Sequence, residues 1–169
     1  MVSCRLLARR VLPAITLLVL LLAGCATPAG MPAGTGIDEV RHRWGTPTLE
    51  FGLPEGGRRF FYSTGPFGRN TYRLDFDAQG RLMRAEDVQN EAHFNSEVRP
   101  GMTSEEVLQH LGPPSYTWGV RYHHQTVWSY RFVSPFCLVF HIGITPQRTV
   151  EDSSYGPDPA CERRHFIGL

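Results

Sequence analysis

Ile37-Asp38-Glu39-Val40-Arg41-His42-Arg43-Trp44-Gly45-Thr46-Pro47 lines up with Ser104-Glu105-Glu106-Val107-Leu108-Gln109-His110-Leu111-Gly112-Pro113-Pro114 at a constant offset of 67, so one unit is used twice. Glu39, Val40, Gly45 and Pro47 match Glu106, Val107, Gly112 and Pro114. Each matched position has a mechanical job. The acid favours the positive end of a helix, the Val lies on its apolar face, the Gly supplies a positive φ at its end, and the Pro stops it. Thr103 and Glu106 add the Thr-x-x-Glu of a capping box in the second copy. Helices this short are marginal alone and must pack on something else.

Outward from each helix the period changes from 3.6 to 2. Tyr72, Leu74 and Phe76 alternate with Arg73, Asp75 and Asp77, which predicts a strand with one face buried and one wet. Asp77-Ala78-Gln79-Gly80 reads as a turn returning at Leu82, and residues 59–63 supply an earlier strand. In the second copy Trp128, Tyr130 and Phe132 mark one strand, 136–144 the next and 149–152 its return. Residues 90–95 predict one more short helix with Ala92 and Phe94 inward. The expected architecture is α+β: two tandem modules, each one or two short helices packed on a three- to four-stranded antiparallel sheet, over residues 37–88 and 89–169.

At the other end of the chain, Arg5, Arg9 and Arg10 precede an apolar run from Val11 to Ala23, which is too short to span a bilayer. That is the layout of a signal peptide over residues 1–24. Leu22-Ala23-Gly24-Cys25 resembles the lipobox, at which bacteria acylate a cysteine and cleave before it, so Cys25 is expected to carry the lipid that holds the chain at a membrane. Ala26 rather than an acid follows it, which by resemblance to known sorting behaviour favours the outer membrane, with the protein facing the periplasm. Residues 25–36, poor in anything to bury, read as a flexible tether of about 18 Å reach.

All seventeen basic residues are Arg. Three lie before Cys25, leaving fourteen against sixteen acidic residues, so nucleic acid is not an expected partner. Cys137 and Cys161 form one possible disulfide, which the periplasm would preserve, pinning the Pro-rich tail to the sheet; the other reading is a buried free Cys137 and an exposed Cys161.

The run Val98 to Pro114, with its Gly101-Met102-Thr103 helix start and Leu111-Gly112-Pro113-Pro114 stop, followed by Trp128-Ser129-Tyr130, resembles the BamE family (also SmpA or OmlA). These are small lipoproteins of the outer-membrane β-barrel assembly machinery. The turn Phe76-Asp77-Ala78-Gln79-Gly80-Arg81-Leu82 is similar to that family's last hairpin. The resemblance implies an α+β fold without a catalytic centre, and a place among β-barrel assembly components. Tandem copies also resemble the β-lactamase inhibitor protein, whose sheets form a concave protein-binding surface. That second likeness implies an inhibitor or binding module for a periplasmic or secreted enzyme.

Other constellations carry little chemistry. Gly34-Thr35-Gly36 begins like a dinucleotide loop, but Glu39 stands where its third Gly belongs. Adjacent strand residues point to opposite faces, so His123 and His124 would not converge on one ion there and read as exposed hairpin residues; with His110 and His141 they show no zinc-like spacing, so no metal and no cofactor is expected. No Gly-x-Ser-x-Gly or His-Glu-x-x-His is present. Aromatic residues exceed what the short helices need to cover. Trp118 and Tyr122, near Arg121 and Arg131, are therefore expected on a sheet face that binds another envelope protein.

Overall fold

The computed structural model describes residues 26–120 and 124–161; the leader, Cys25 and the expected contact residues Arg121 and Tyr122 lie outside them. Two antiparallel four-stranded sheets follow one another, β1 (Leu49–Gly52) to β4 (Leu82–Asp87) and β5 (Tyr116–Val120) to β8 (Val150–Pro157), each in simple meander order. Between the outer pairs run β2 (Arg58–Ser63), β3 (Thr71–Phe76), β6 (Gln125–Arg131) and β7 (Leu138–Ile144). Helix α1 (Ile37–Trp44) serves the first sheet; α2 (Glu91–Glu97) and α3 (Ser104–Leu111) serve the second. The fold is α+β, in two tandem modules.

The two modules repeat down to individual hydrogen bonds. Gly45 and Gly112 end α1 and α3 at φ 79° and 72°, and each gives its carbonyl to a core tyrosine, Tyr62 Oη at 3.1 Å and Tyr130 Oη at 3.2 Å. Thr103 accepts from the Glu106 amide while the Glu106 carboxylate accepts from Thr103 N–H, closing the capping box. The first helix has no such box, because Gly36 stands at its cap.

Residues 28–36, expected as part of a flexible tether, are packed instead. From Pro28 onward they belong to the first module: Pro28 and Met31 are buried, and a short 3-10 turn at Pro28–Gly30 takes the place that α2 occupies in the second. The Gly34 amide donates to Leu82 O as the Gly101 amide donates to Val150 O, and both glycines sit near φ 86° (85° and 87°). Met31 and Val98, again 67 apart, are each 8% exposed. An Ala-Thr-Pro-Gly composition hides this, since only one large side chain is needed to fix the segment.

The strand reading of β3 needs a second correction. Tyr72, Leu74 and Phe76 face α1 as expected, in a core with Met31, Val40, Phe60 and Leu82. The opposite face, expected wet, is covered: Arg73 and Asp75 are 6% and 9% exposed. They lie against the end of α3, whose Gln109 and His110 carbonyls accept from Arg59 (2.8 Å) and Arg73 (3.4 Å). The charges are met by cross-strand partners, Arg59 with Asp75 at 2.6 Å and Arg73 with Glu86. Gly112 approaches so closely that a Cβ there would lie 2.8 Å from the Phe61 ring. So α3 is held between the two sheets, with Val107 and Leu111 in the second core.

That second core joins Phe94, Val98, Val107 and Leu111 to Tyr130, Phe132, Phe140 and Ile142. Ala92 is exposed, not inward; Phe94 and Val98, four apart, form the apolar side of α2. Cys137 and Cys161 are joined as a disulfide across 24 residues, so the tail turns back onto the start of β7, where the Asp158 amide also donates to Cys137 O.

Candidate functional site

Covering both faces of the first sheet leaves one sheet face in the described residues without a helix, that of β5–β8 away from α2 and α3. Strand alternation places Trp118, Val127 and Gly143 in one cross-strand row, with Asp152 at its edge. Tyr116, Ser129, His141 and Ser154 form the next row, and Arg131 with Val139 the one beyond. Trp118 is 47% exposed beside a shallow depression of about 320 Å3 lined by Val120, Gln125, Val127, His141, Gly143, Asp152 and Ser154.

Glycines set the depth of this face. A Cβ at Gly143 would fall 1.9 Å from Gln125 Nε2, and one at Gly156 would fall 3.1 Å from His141 Nε2. Both side chains can therefore lie close over these backbone positions, and the Trp118 ring meets His141 edge-on, 6.1 Å between ring centres. Its orientation is fixed: the indole N–H donates to Ser129 Oγ at 3.2 Å, and Ser129 Oγ lies 2.9 Å from His141 Nδ1. The indole N–H can only donate, so Ser129 Oγ accepts from it, and a neutral imidazole completes the chain by exchanging one hydrogen bond with that hydroxyl at Nδ1. Burial holds the His141 pKa below its ordinary value and favours that neutral form.

The serine–histidine pair invites a nucleophilic reading, which the burial answers. Ser129 is 0% exposed, closed in by the sheet and by Trp118, and no substrate carbonyl can reach its Oγ. The pair is a positioning device for the tryptophan.

Acidification tests that device. His141, and His93 between the modules, are both lowered by burial, so the unfolded chain binds protons first. Stability is expected to fall as pH drops below about 6.5, the unfolded histidine value, and to level off once the folded histidines protonate. Denaturation midpoints from pH 7.5 to 5 check this; a midpoint that rises on acidification contradicts it.

Arg131 is not available for a partner. Its side chain is 8% exposed and pairs with Asp158, itself 3% exposed, at 3.1 Å. It also donates to the Pro66 carbonyl in the β2–β3 loop, and its guanidinium lies between the rings of Tyr116 (4.9 Å) and Phe67 (5.5 Å). An arginine at the end of a strand looks free in sequence; here it fastens a first-module loop to the second sheet. That loop contributes a residue the sequence reading missed, Phe67, 79% exposed, with its ring against the Arg131 guanidinium. His141, Gln125 and Asp152 were missed as well, since only strand register brings them to the depression beside Trp118.

Among the described residues no three His, Cys, Asp or Glu side chains are grouped to hold a metal ion. His124 is exposed in the β5–β6 turn.

The class these features define is an α+β protein of two tandem helix-on-sheet modules. Solved structures with some likeness to it include a DUF4309 family protein (YjgB) from Bacillus subtilis, at 14% identity and TM-score 0.29 over 73% of this chain and 79% of that one. Another is a proposed β-lactamase inhibitor protein from Streptococcus mutans, at 8% identity and TM-score 0.32 over 78% and 88%. At scores this low function has to come from the chain's own surface. No family model matches the chain, and no curated protein matches its sequence.

Proposed function

We propose that the chain is a non-enzymatic protein-binding module of the bacterial envelope, held at the outer membrane by acylated Cys25 and facing the periplasm. Its working surface is the open face of the second sheet. The observation that carries this reading is Trp118, a large aromatic side chain left 47% exposed yet held in one orientation by Ser129. A hydrogen-bonded, half-exposed Trp beside a depression is the kind of anchor that dominates protein interfaces, since little entropy is lost when it docks. The lipobox and the BamE-like helix motif support an envelope partner, and outer-membrane β-barrel assembly is the setting they favour.

Cross-linking of intact envelopes, with recovery through a tagged chain, tests the proposal. Trp118→Ala is expected to cost about 2 kcal/mol of binding or more, roughly a thirtyfold loss of affinity, with the fold retained. Recovery of β-barrel assembly components that depends on both Trp118 and Cys25 supports the assembly role. One enzyme recovered equally well with Cys25→Ala would move the function to that of an inhibitor, and partners unaffected by Trp118→Ala would overturn the open face.

A further inference from the structure

Resting on that reading of the open face, we propose that the segment it receives is basic, with an Arg or Lys side chain seated between the Trp118 ring and the carboxylates of Glu151 and Asp152. Successive residues of a strand point to opposite faces, so two adjacent acids are not expected on one side. Here the register slips between Gly143 and Ile144: Asp152 pairs with Gly143, Val150 pairs with Ile144, and Glu151 is the unpaired residue between them. This bulge turns Glu151 to the side of Asp152, and both carboxylates accept from the same group, Gln125 Nε2, at 3.2 Å each.

One neutral amide cannot neutralise two carboxylates. Among the described residues neither acid has a basic partner within 4.0 Å, and Arg131, the described cation of this face, is already matched by Asp158. Gln125 and Asp152 border the same depression as Trp118. The described residues of the face therefore offer an aromatic ring and two negative charges, which together fit a guanidinium or ammonium group and repel an acidic segment.

The test uses the full folded chain and the peptide acetyl-(Gly-Arg)3-amide, with acetyl-(Gly-citrulline)3-amide as the shape-matched neutral control. Binding is read from the Trp118 indole N–H resonance, assigned by its loss in Trp118→Phe. The arginine peptide is expected to shift that resonance at millimolar concentration, the citrulline peptide to leave it in place, and the double variant Glu151→Gln/Asp152→Asn to weaken binding by about tenfold or more. Equal shifts from both peptides, no shift from either, or unchanged binding in the double variant would overturn the inference. Envelope cross-linking separates this failure from failure of the open-face reading. A partner lost with Trp118→Ala but kept by the double variant removes only the basic segment, whereas a partner kept by both removes the two together.

Discussion

Arg131→Ala is expected to lower the unfolding free energy by about 3–5 kcal/mol, because the change leaves Asp158 buried without its counter-charge. The site is almost fully enclosed, with side-chain exposures of 8% and 3% for the two partners, so solvent screening offers little relief. Three further contacts disappear with the guanidinium: the donation to Pro66 O and the stacking against Tyr116 and Phe67. Asp158 also caps the turn into Cys161 by accepting from the Ala160 amide, so the tail should loosen too. Chemical denaturation of the wild type, both single variants and Arg131→Ala/Asp158→Ala measures the effect. The double variant should be more stable than the sum of the single losses predicts, since it removes both charges. A loss under about 1 kcal/mol for Arg131→Ala, the level of an exposed ion pair, would show that the pair is not the clasp described here.

Phe94→Ala is expected to cost about 3–5 kcal/mol, by removing the ring on which the second core is assembled. Phe94 is fully buried, stacked on Phe140 at 4.6 Å with 7° between planes, and edge-on to Phe132 at 5.4 Å. Helix α2 has seven residues and presents little else inward besides Val98 just past its end, so it has no independent stability to fall back on. Hydrogen exchange should show the α2 amides losing protection along with the global melt. Phe94→Leu keeps most of the volume and should cost less than half as much. If Phe94→Ala melts within a degree or two of the wild type, the core must be able to close the gap, and α2 is not pinned by that ring.

The parts of this fold that sequence displays are those governed by local chemistry. The helix ends were readable because Glu39, Val40, Gly45 and Pro47 and their counterparts each satisfy a requirement of the helix itself. The strands were readable from alternation at Tyr72, Leu74 and Phe76. What faces a strand's second side is a different matter. Arg73 and Asp75 have the pattern of wet residues, yet they meet the other module, because cross-strand pairing with Glu86 and Arg59 makes their burial tolerable. Arg131 misled for the same reason. Trp118 stood out as an aromatic beyond the needs of a small core, but His141 becomes its neighbour only through strand register, and Phe67 joins the second sheet only through the loop clasp on Arg131. The packed segment before α1 did leave a trace, since Met31 and Gly34 continue the 67-residue offset to Val98 and Gly101. Its Ala, Thr and Pro residues made that continuation look like filler.

The early start of that packed segment changes the mechanics of a lipid anchor. Only Ala26 and Thr27 lie between Cys25 and the 3-10 turn at Pro28, and Thr27 already caps that turn, its carbonyl accepting from the Gly30 amide, so the spacer adds at most about 7 Å. Acylated at Cys25 as proposed, the chain would stand on a short foot instead of drifting on a leash, able to swivel about the membrane normal but with little freedom to tumble or to lift away. Under that proposal its search for a partner would be confined to a thin layer beside the membrane, where the height at which the second sheet is presented would matter as much as its affinity. Lengthening the foot by inserting flexible residues after Ala26 would change the reach of the open face without touching a single contact on it.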